Sequence, residues 1–424
     1  MKNCMKVLLL LGITYLVFAN ETYAQTSLQA QIDAAQQVVK LKSGTYKEPI
    51  EIDKPITVEA TGTVIENCSS KPAVTIKGDH VTLKGLTIVE CSDAKNKAAL
   101  FISGKAHHLE EISISTEKIG LKLENVQKSK FENIQIKGQM KNNGIDLWES
   151  RANIFKQCEI SQVQDGFYLE NSHDNALLKN SIYYSRYGIH VMFSDRISVK
   201  ENVSKENVTG AMIMGATNSE VSDNKFLENQ QNVNAQGLLL YDVHHSIIQD
   251  NTISRNRIGI YSEDSSNNLI TENDVTGNFI GMQMKKLSKT VLTKNSFVGN
   301  VNAIQATSSR QNQIEHNFWD HALTLDSNGD GLSNLAFTAD PYFLTLTDET
   351  PEFQLFFQHP GLVILQKILK SPPDMLVVDK QPLMTNTHQN KMQKTQAGYF
   401  PVLLLSLLFI AGSSSLLYIG RNKL

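Results

Sequence analysis

The chain has 424 residues, with 40 Lys and Arg against 43 Asp and Glu and a formal net charge of -3. So even a balance leaves no basic footprint and argues against an RNA or DNA partner. Function must be sought in repeats and local chemistry.

Residues 1–24 read as a secretory signal. Lys2 and Lys6 precede an apolar run from Val7 to Ala19, and small residues around Thr22-Tyr23-Ala24 place cleavage before Gln25. Cys4 lies ahead of the apolar run and cannot be a lipobox cysteine. From about Ser27, Leu28, Ile32, Ala35 and Val39 suit a short amphipathic helix that caps an open core. Short strand-like pieces follow at Ile50–Ile52, Ile56–Glu59, Ala73–Ile76 and Val81–Leu83.

Glycine then recurs every 22 residues at Gly144, Gly166, Gly188 and Gly210, and again at Gly237, Gly259 and Gly281 after one 27-residue step. Asparagine keeps the same beat at Asn180, Asn202, Asn224, Asn251, Asn273, Asn295 and Asn317. A second series runs through Asn207, Asn229, Asn256, Asn278 and Asn300. The common long step locates an insertion in Gln230–Gln236. Strand-like segments at so short a period predict an all-β, right-handed parallel β-helix over residues 25–320, with roughly a dozen coils. Coils stack at about 4.8 Å, so residues one period apart become neighbours. Asparagine is expected at left-handed turns with its amide stacked on the next, and glycine at the bends.

Counting from each glycine, offsets +1 and +3 are apolar and face the core, including Met282 and Met284. Offsets +2 and +4 face outward. They set His190 against Met212 and Met192 against Met214 on neighbouring coils. One imidazole and three thioethers suit Cu(I), which favours soft ligands over carboxylate. The alternative is that the methionines are flexible apolar filler against a neighbouring protein or the Gln230–Gln236 bulge. His107-His108 and His244-His245 read as ordinary turn residues. Cys68 and Cys91 lie about one coil apart, and a disulfide ranks ahead of two free thiols or a metal pair. Cys158 falls in the asparagine series and reads as a buried turn residue.

Residues 321–370 hold a polar loop and helices. In the loop, Asp326, Asn328 and Asp330 alternate before Gly331, as calcium loops require. Phe337 stands where an EF-hand needs its glutamate, so calcium would be held incompletely, and a plain polar turn is the alternative. Thr350-Pro351-Glu352 is a helix start ahead of Phe353, Leu355, Phe356 and Phe357. A second apolar segment, Gly361–Leu369, follows Pro360. Residues 371–397 read as a flexible linker. Residues 398–420 read as a transmembrane helix, with Arg421 and Lys423 placing the 421–424 tail in the cytoplasm.

Taken together, Leu28-Gln-Ala-Gln-Ile-Asp33, Tyr187-Gly-Ile-His-Val-Met-Phe-Ser194, Gln236-Gly-Leu-Leu-Leu240, Asn317-Phe-Trp-Asp320, Asp340-Pro-Tyr-Phe343 and His359-Pro360 resemble the NosD family. That family comprises exported β-helix proteins of nitrous oxide reductase maturation. The resemblance spans about Gln25 to Lys370. It implies a non-catalytic accessory protein docked on an ABC permease whose ATPase lies inside, working with a copper chaperone to supply copper to nitrous oxide reductase. The docking part would be Glu349–Leu369, with Phe353, Phe356, Phe357, Leu362 and Ile364. His190 and Met192 match the family's central motif in place, and Met214 corresponds to a methionine one coil on. Met212 rests on register alone.

Other readings are a glycan-binding or scaffold solenoid, with Trp148, Tyr168, Tyr241 and Tyr261 as stacking faces, or a polysaccharide lyase or epimerase. The latter needs clustered carboxylates. Asp146, Glu170 and Glu263 point outward, but with no close pairing expected among them.

Overall fold

The computed structural model describes residues 27–91, 97–232, 234–340 and 376–386, and a few single positions between 346 and 371. Its architecture is a parallel β-solenoid. One 12-stranded parallel sheet forms the first wall, and most coils add two further strands to a 24-stranded sheet that forms the rest. The helix Leu28–Ala34 buries Leu28 and Ile32 over the first coils, and the Ser27 hydroxyl accepts from the Ala30 amide at 3.1 Å. Val39 belongs to the strand Val38–Lys40 instead of the helix. Opening the coils this way shields apolar side chains that have no preceding coil to cover them.

Alternation along each strand does the rest. Ile145, Leu147, Phe167, Leu169, Ile189, Val191, Ile213, Leu238, Leu240, Met282 and Met284 are buried, as their odd offsets require. Phe131 stacks on Phe155 with ring centroids 4.6 Å apart. A different inward column, through Phe226, Ile253 and Val275, ends with Phe297, Trp319 and Phe337 stacked at 4.5 and 4.3 Å.

The two asparagine series lie inside this wall. The Asn180 amide N–H and its Nδ2 both donate to Asn202 Oδ1 at 2.9 Å, and Nδ2 also donates to the Phe155 carbonyl at 3.1 Å. Asn202 repeats this toward Asn224, and Asn207 donates to Asn229 in the second series. The left-handed turn is made by a different residue from the one expected. Lys179, Glu201, Asp223, Glu206 and Glu228, each just before a ladder asparagine, carry φ between 56° and 58°. The turn falls on a residue in contact with solvent, while the asparagine completes buried backbone bonds.

The periodic glycines also have another reason. Gly166 and Gly188 lie in strands without positive φ. A Cβ on Gly166 would sit 2.4 Å from the Gly188 carbonyl oxygen, and one on Gly188 would sit 2.0 Å from Ser204 Oγ. Close backbone approach, and not bending, excludes a side chain there.

Each end carries a fastening. Near the N-terminal end Cys68 and Cys91 form a disulfide with Cα atoms 4.7 Å apart. Beside it the fully buried Lys118 Nζ meets Glu90 Oε2 at 2.6 Å and the Ser69 carbonyl at 2.7 Å. Burial pushes the Glu90 carboxyl up, opposed by Lys118 and Asn67.

At the other end, part of the expected flexible linker is ordered structure. The strand Val377–Asp379 pairs antiparallel with Phe337–Ala339. Asp379 is buried and its Oδ2 accepts from Asn317 N at 2.9 Å, Asn317 Nδ2 at 3.3 Å and Trp319 Nε1 at 3.0 Å. Its carboxylate occupies the acceptor position that the next asparagine would fill. The signal, the transmembrane segment and the docking residues Phe356, Phe357, Leu362 and Ile364 lie outside the described residues. Among the described residues no helix is long and apolar enough to cross a membrane. Phe353 is described, and its amide donates to the Thr350 carbonyl at 3.1 Å.

Candidate functional site

The site is built on the outward face of three neighbouring strands of the 12-stranded sheet, Asp165–Glu170, Tyr187–Met192 and Thr209–Thr217. Their register pairs Tyr168 with His190 and His190 with Met212. On the next outward row it pairs Glu170 with Met192 and Met192 with Met214. One imidazole and three thioethers are thereby set on adjacent strands, each about 4.8 Å from the next. Met192, Met212 and Met214 are partly exposed.

His190 is different. It points outward yet is only 7% exposed, because Tyr168 and Tyr187 stand edge-on to its ring at centroid distances of 5.2 and 4.8 Å. Its Nδ1 lies 2.8 Å from Oδ2 of the buried Asp165. The same carboxylate is gripped by Arg186, with Nε and Nη2 donating to its two oxygens at 2.9 Å. The Arg186 guanidinium stacks over the Tyr187 ring at 4.6 Å. Among the described residues, His190 Nε2 is buried with no hydrogen-bond partner. An orphaned buried nitrogen is destabilising unless something else meets it. Its flanking register partner Met212 is unbranched and can swing aside.

The Tyr168 hydroxyl donates to Glu170 and lies 3.7 Å from Met192 Sδ. Desolvation, then Glu170, then Asp146 and Asp165 hold its phenol well above the usual range. Asp146, paired in register with Tyr168, is pushed up to about 6, chiefly by burial, against a hydrogen bond from Asn143 Nδ2 at 2.7 Å. Three carboxylates thus gather around Tyr168, where no close acidic grouping was expected. Each is already committed: Asp165 to Arg186 and His190, Glu170 to Tyr168, Asp146 to Asn143.

Beside the thioethers, Phe193 is 53% exposed and Tyr241, the register partner of Met214, is 38% exposed. Phe193 lies over Gly215, where a Cβ would come within 2.8 Å of its Cδ1. Asp165 and Arg186 were not singled out from sequence, and Tyr187 entered only as the first residue of the Tyr187–Ser194 motif. The available signal was that each lies on the Gly166 or Gly188 coil within two residues of the periodic glycine.

Other candidates stand apart. Asp326 Oδ1 accepts from Gly329 N at 2.7 Å and Oδ2 from Gly331 N at 3.0 Å, which holds its carboxyl below the usual range. Asn328 Nδ2 donates to Asp330 Oδ2 at 2.8 Å. The loop therefore satisfies its own polar atoms, and calcium binding there stays a proposal. Among the described residues no group of three His, Cys, Asp or Glu side chains is placed to hold a metal ion. The Cys158 thiol is buried and pushed up to about 12.

Comparison with solved structures gives the fold. The chain is similar to a periplasmic alginate epimerase, AlgG, at a TM-score of 0.53 and 13% identity, covering 67% of this chain and 84% of that one. It is also similar to a family 28 exopolygalacturonase of Yersinia enterocolitica, at 0.53 and 9%, covering 69% and 75%. No curated protein matches by sequence. Residues 125–331, which include every strand of the site, match the family model described as NosD, periplasmic copper-binding protein, the family that the sequence resembles.

Proposed function

We propose that the chain is a periplasmic accessory protein that receives Cu(I) on its His190/Met192/Met212/Met214 face and passes it on for assembly of the copper sites of nitrous oxide reductase. The observation that carries this reading is the orphaned His190 Nε2, on a strand whose outward register sets His190 beside Met212 and Met192 beside Met214. Imidazole and thioether sulfur are soft enough for Cu(I) and poor for calcium or magnesium, which take oxygen. Copper is cargo here, and partly exposed methionines suit a site that must release it. The family match to a periplasmic copper-binding protein supports the same reading.

In this proposal the partners are a copper chaperone that delivers the ion, an ABC permease with its ATPase, and the reductase. Membrane anchoring through residues 398–420 is part of the same proposal. A strain lacking this chain should yield reductase deficient in copper. Fully loaded reductase from that strain would overturn the reading.

A further inference from the structure

The copper reading uses the imidazole and the sulfurs but leaves Asp165 and Arg186 unexplained. We infer that Asp165 is a positioning residue that fixes His190 in the tautomer protonated on Nδ1, so that Nε2 keeps its lone pair for a ligand, with Arg186 holding Asp165 in place. This deepens the copper reading and rests on it only for the identity of what Nε2 meets.

Asp165 begins its strand fully buried, in register with Tyr187, and Arg186 reaches it from the corner before the next strand. A carboxylate clamped through both oxygens by a guanidinium is a hydrogen-bond acceptor. The Nδ1 facing Asp165 Oδ2 at 2.8 Å must therefore carry the proton. A neutral imidazole protonated there has its lone pair on Nε2, the atom left without a partner. Tyr168 and Tyr187, edge-on to the ring, fix the plane in which the lone pair lies. Carboxylate, imidazole and soft ion in line is the arrangement by which outer groups set ligand orientation and basicity.

The test uses the full chain, metal-free, with nitrogen-labelled histidine. Long-range proton–nitrogen correlation spectra report which ring nitrogen is protonated, and His190→Gln assigns the signal. The wild type should show His190 protonated on Nδ1 and bare on Nε2. In Asp165→Asn the carboxamide can turn its NH2 toward Nδ1, and the ring should switch to the Nε2–H form. Affinity for Cu(I), measured by competition with a chromophoric Cu(I) chelator, should then fall about 10- to 100-fold. A wild-type ring protonated on Nε2 overturns the inference, and so does an Asp165→Asn variant unchanged in both tautomer and affinity. If Asp165→Asn does not fold, the wild-type spectrum still decides, together with Arg186→Gln, which should keep the Nδ1–H form. A wild type with the expected tautomer but no Cu(I) binding leaves Asp165 in its positioning role and removes copper from the site instead.

Discussion

The asparagine ladders and the His190 face lie on the same coils and treat buried polar atoms in opposite ways. Along the first ladder, each asparagine from Asn180 to Asn295 meets the next coil's carboxamide and a carbonyl, and the final acceptor, for Asn317, is supplied by Asp379 from far along the chain. On the outward face, one imidazole nitrogen is buried and left unmet. Among the described residues Ser222, Ser262, Ser296, Gln305 and His316 also bury a polar atom without a partner, so what sets His190 apart is an orphaned ring nitrogen on a strand whose register neighbours are methionines.

That contrast can be broken by substitution. The largest effect is expected from Lys118→Met, which leaves the buried Glu90 without its cation. Breaking such a pair should destabilise the chain by about 3 to 5 kcal/mol in chemical unfolding. Asn202→Ala strips the acceptor from Asn180 and the donors to Leu177 O and Asn224. Several buried groups lose partners together, and a loss of roughly 2 to 4 kcal/mol is expected.

Asp146→Asn should act in the other direction, through pH. The folded carboxyl titrates near 6 and the unfolded one near its ordinary 3.8. Because the folded value is raised, the native state holds its proton more tightly. That contribution is complete below about pH 3.8 and is lost as pH rises through about 6. At pH 7 the variant should therefore be the more stable by on the order of 2 kcal/mol, and flatter than wild type between pH 4 and 6. The smallest effect on stability is expected at the site. His190→Ala removes a ring from an outward face, leaves Asp165 its arginine, and should change stability by less than about 1.5 kcal/mol, while abolishing copper supply to the reductase. A large loss of stability instead would make His190 a packing residue and erase the contrast.

Much of this geometry follows from period alone. A 22-residue repeat determines which residues stack, so the pairing of His190 with Met212 and of Met192 with Met214 could be read without coordinates. The Asp165–His190 contact could not. It joins the head of one strand to the middle of the next across 25 residues, and a fixed-period count connects only equal offsets. Composition misled at the C-terminal end, where Val377-Val378-Asp379 is too short to stand out within a Pro, Gln and Asn-rich stretch. Its role depends on the carboxylate meeting Asn317 and Trp319, about 60 residues earlier along the chain. The roles of the ladder asparagines and periodic glycines were also misassigned, because both turns and tight packing favour the same residue types.

The central claim is that the His190 face is a soft-metal site. Copper K-edge X-ray absorption of the full chain loaded with one equivalent of Cu(I) tests it most directly. One imidazole nitrogen together with thioether sulfur is expected around copper, with the nitrogen contribution lost in His190→Ala and the sulfur lost when Met192, Met212 and Met214 are replaced together. A spectrum of nitrogen and oxygen ligands only, or one that His190→Ala leaves unchanged, would contradict it.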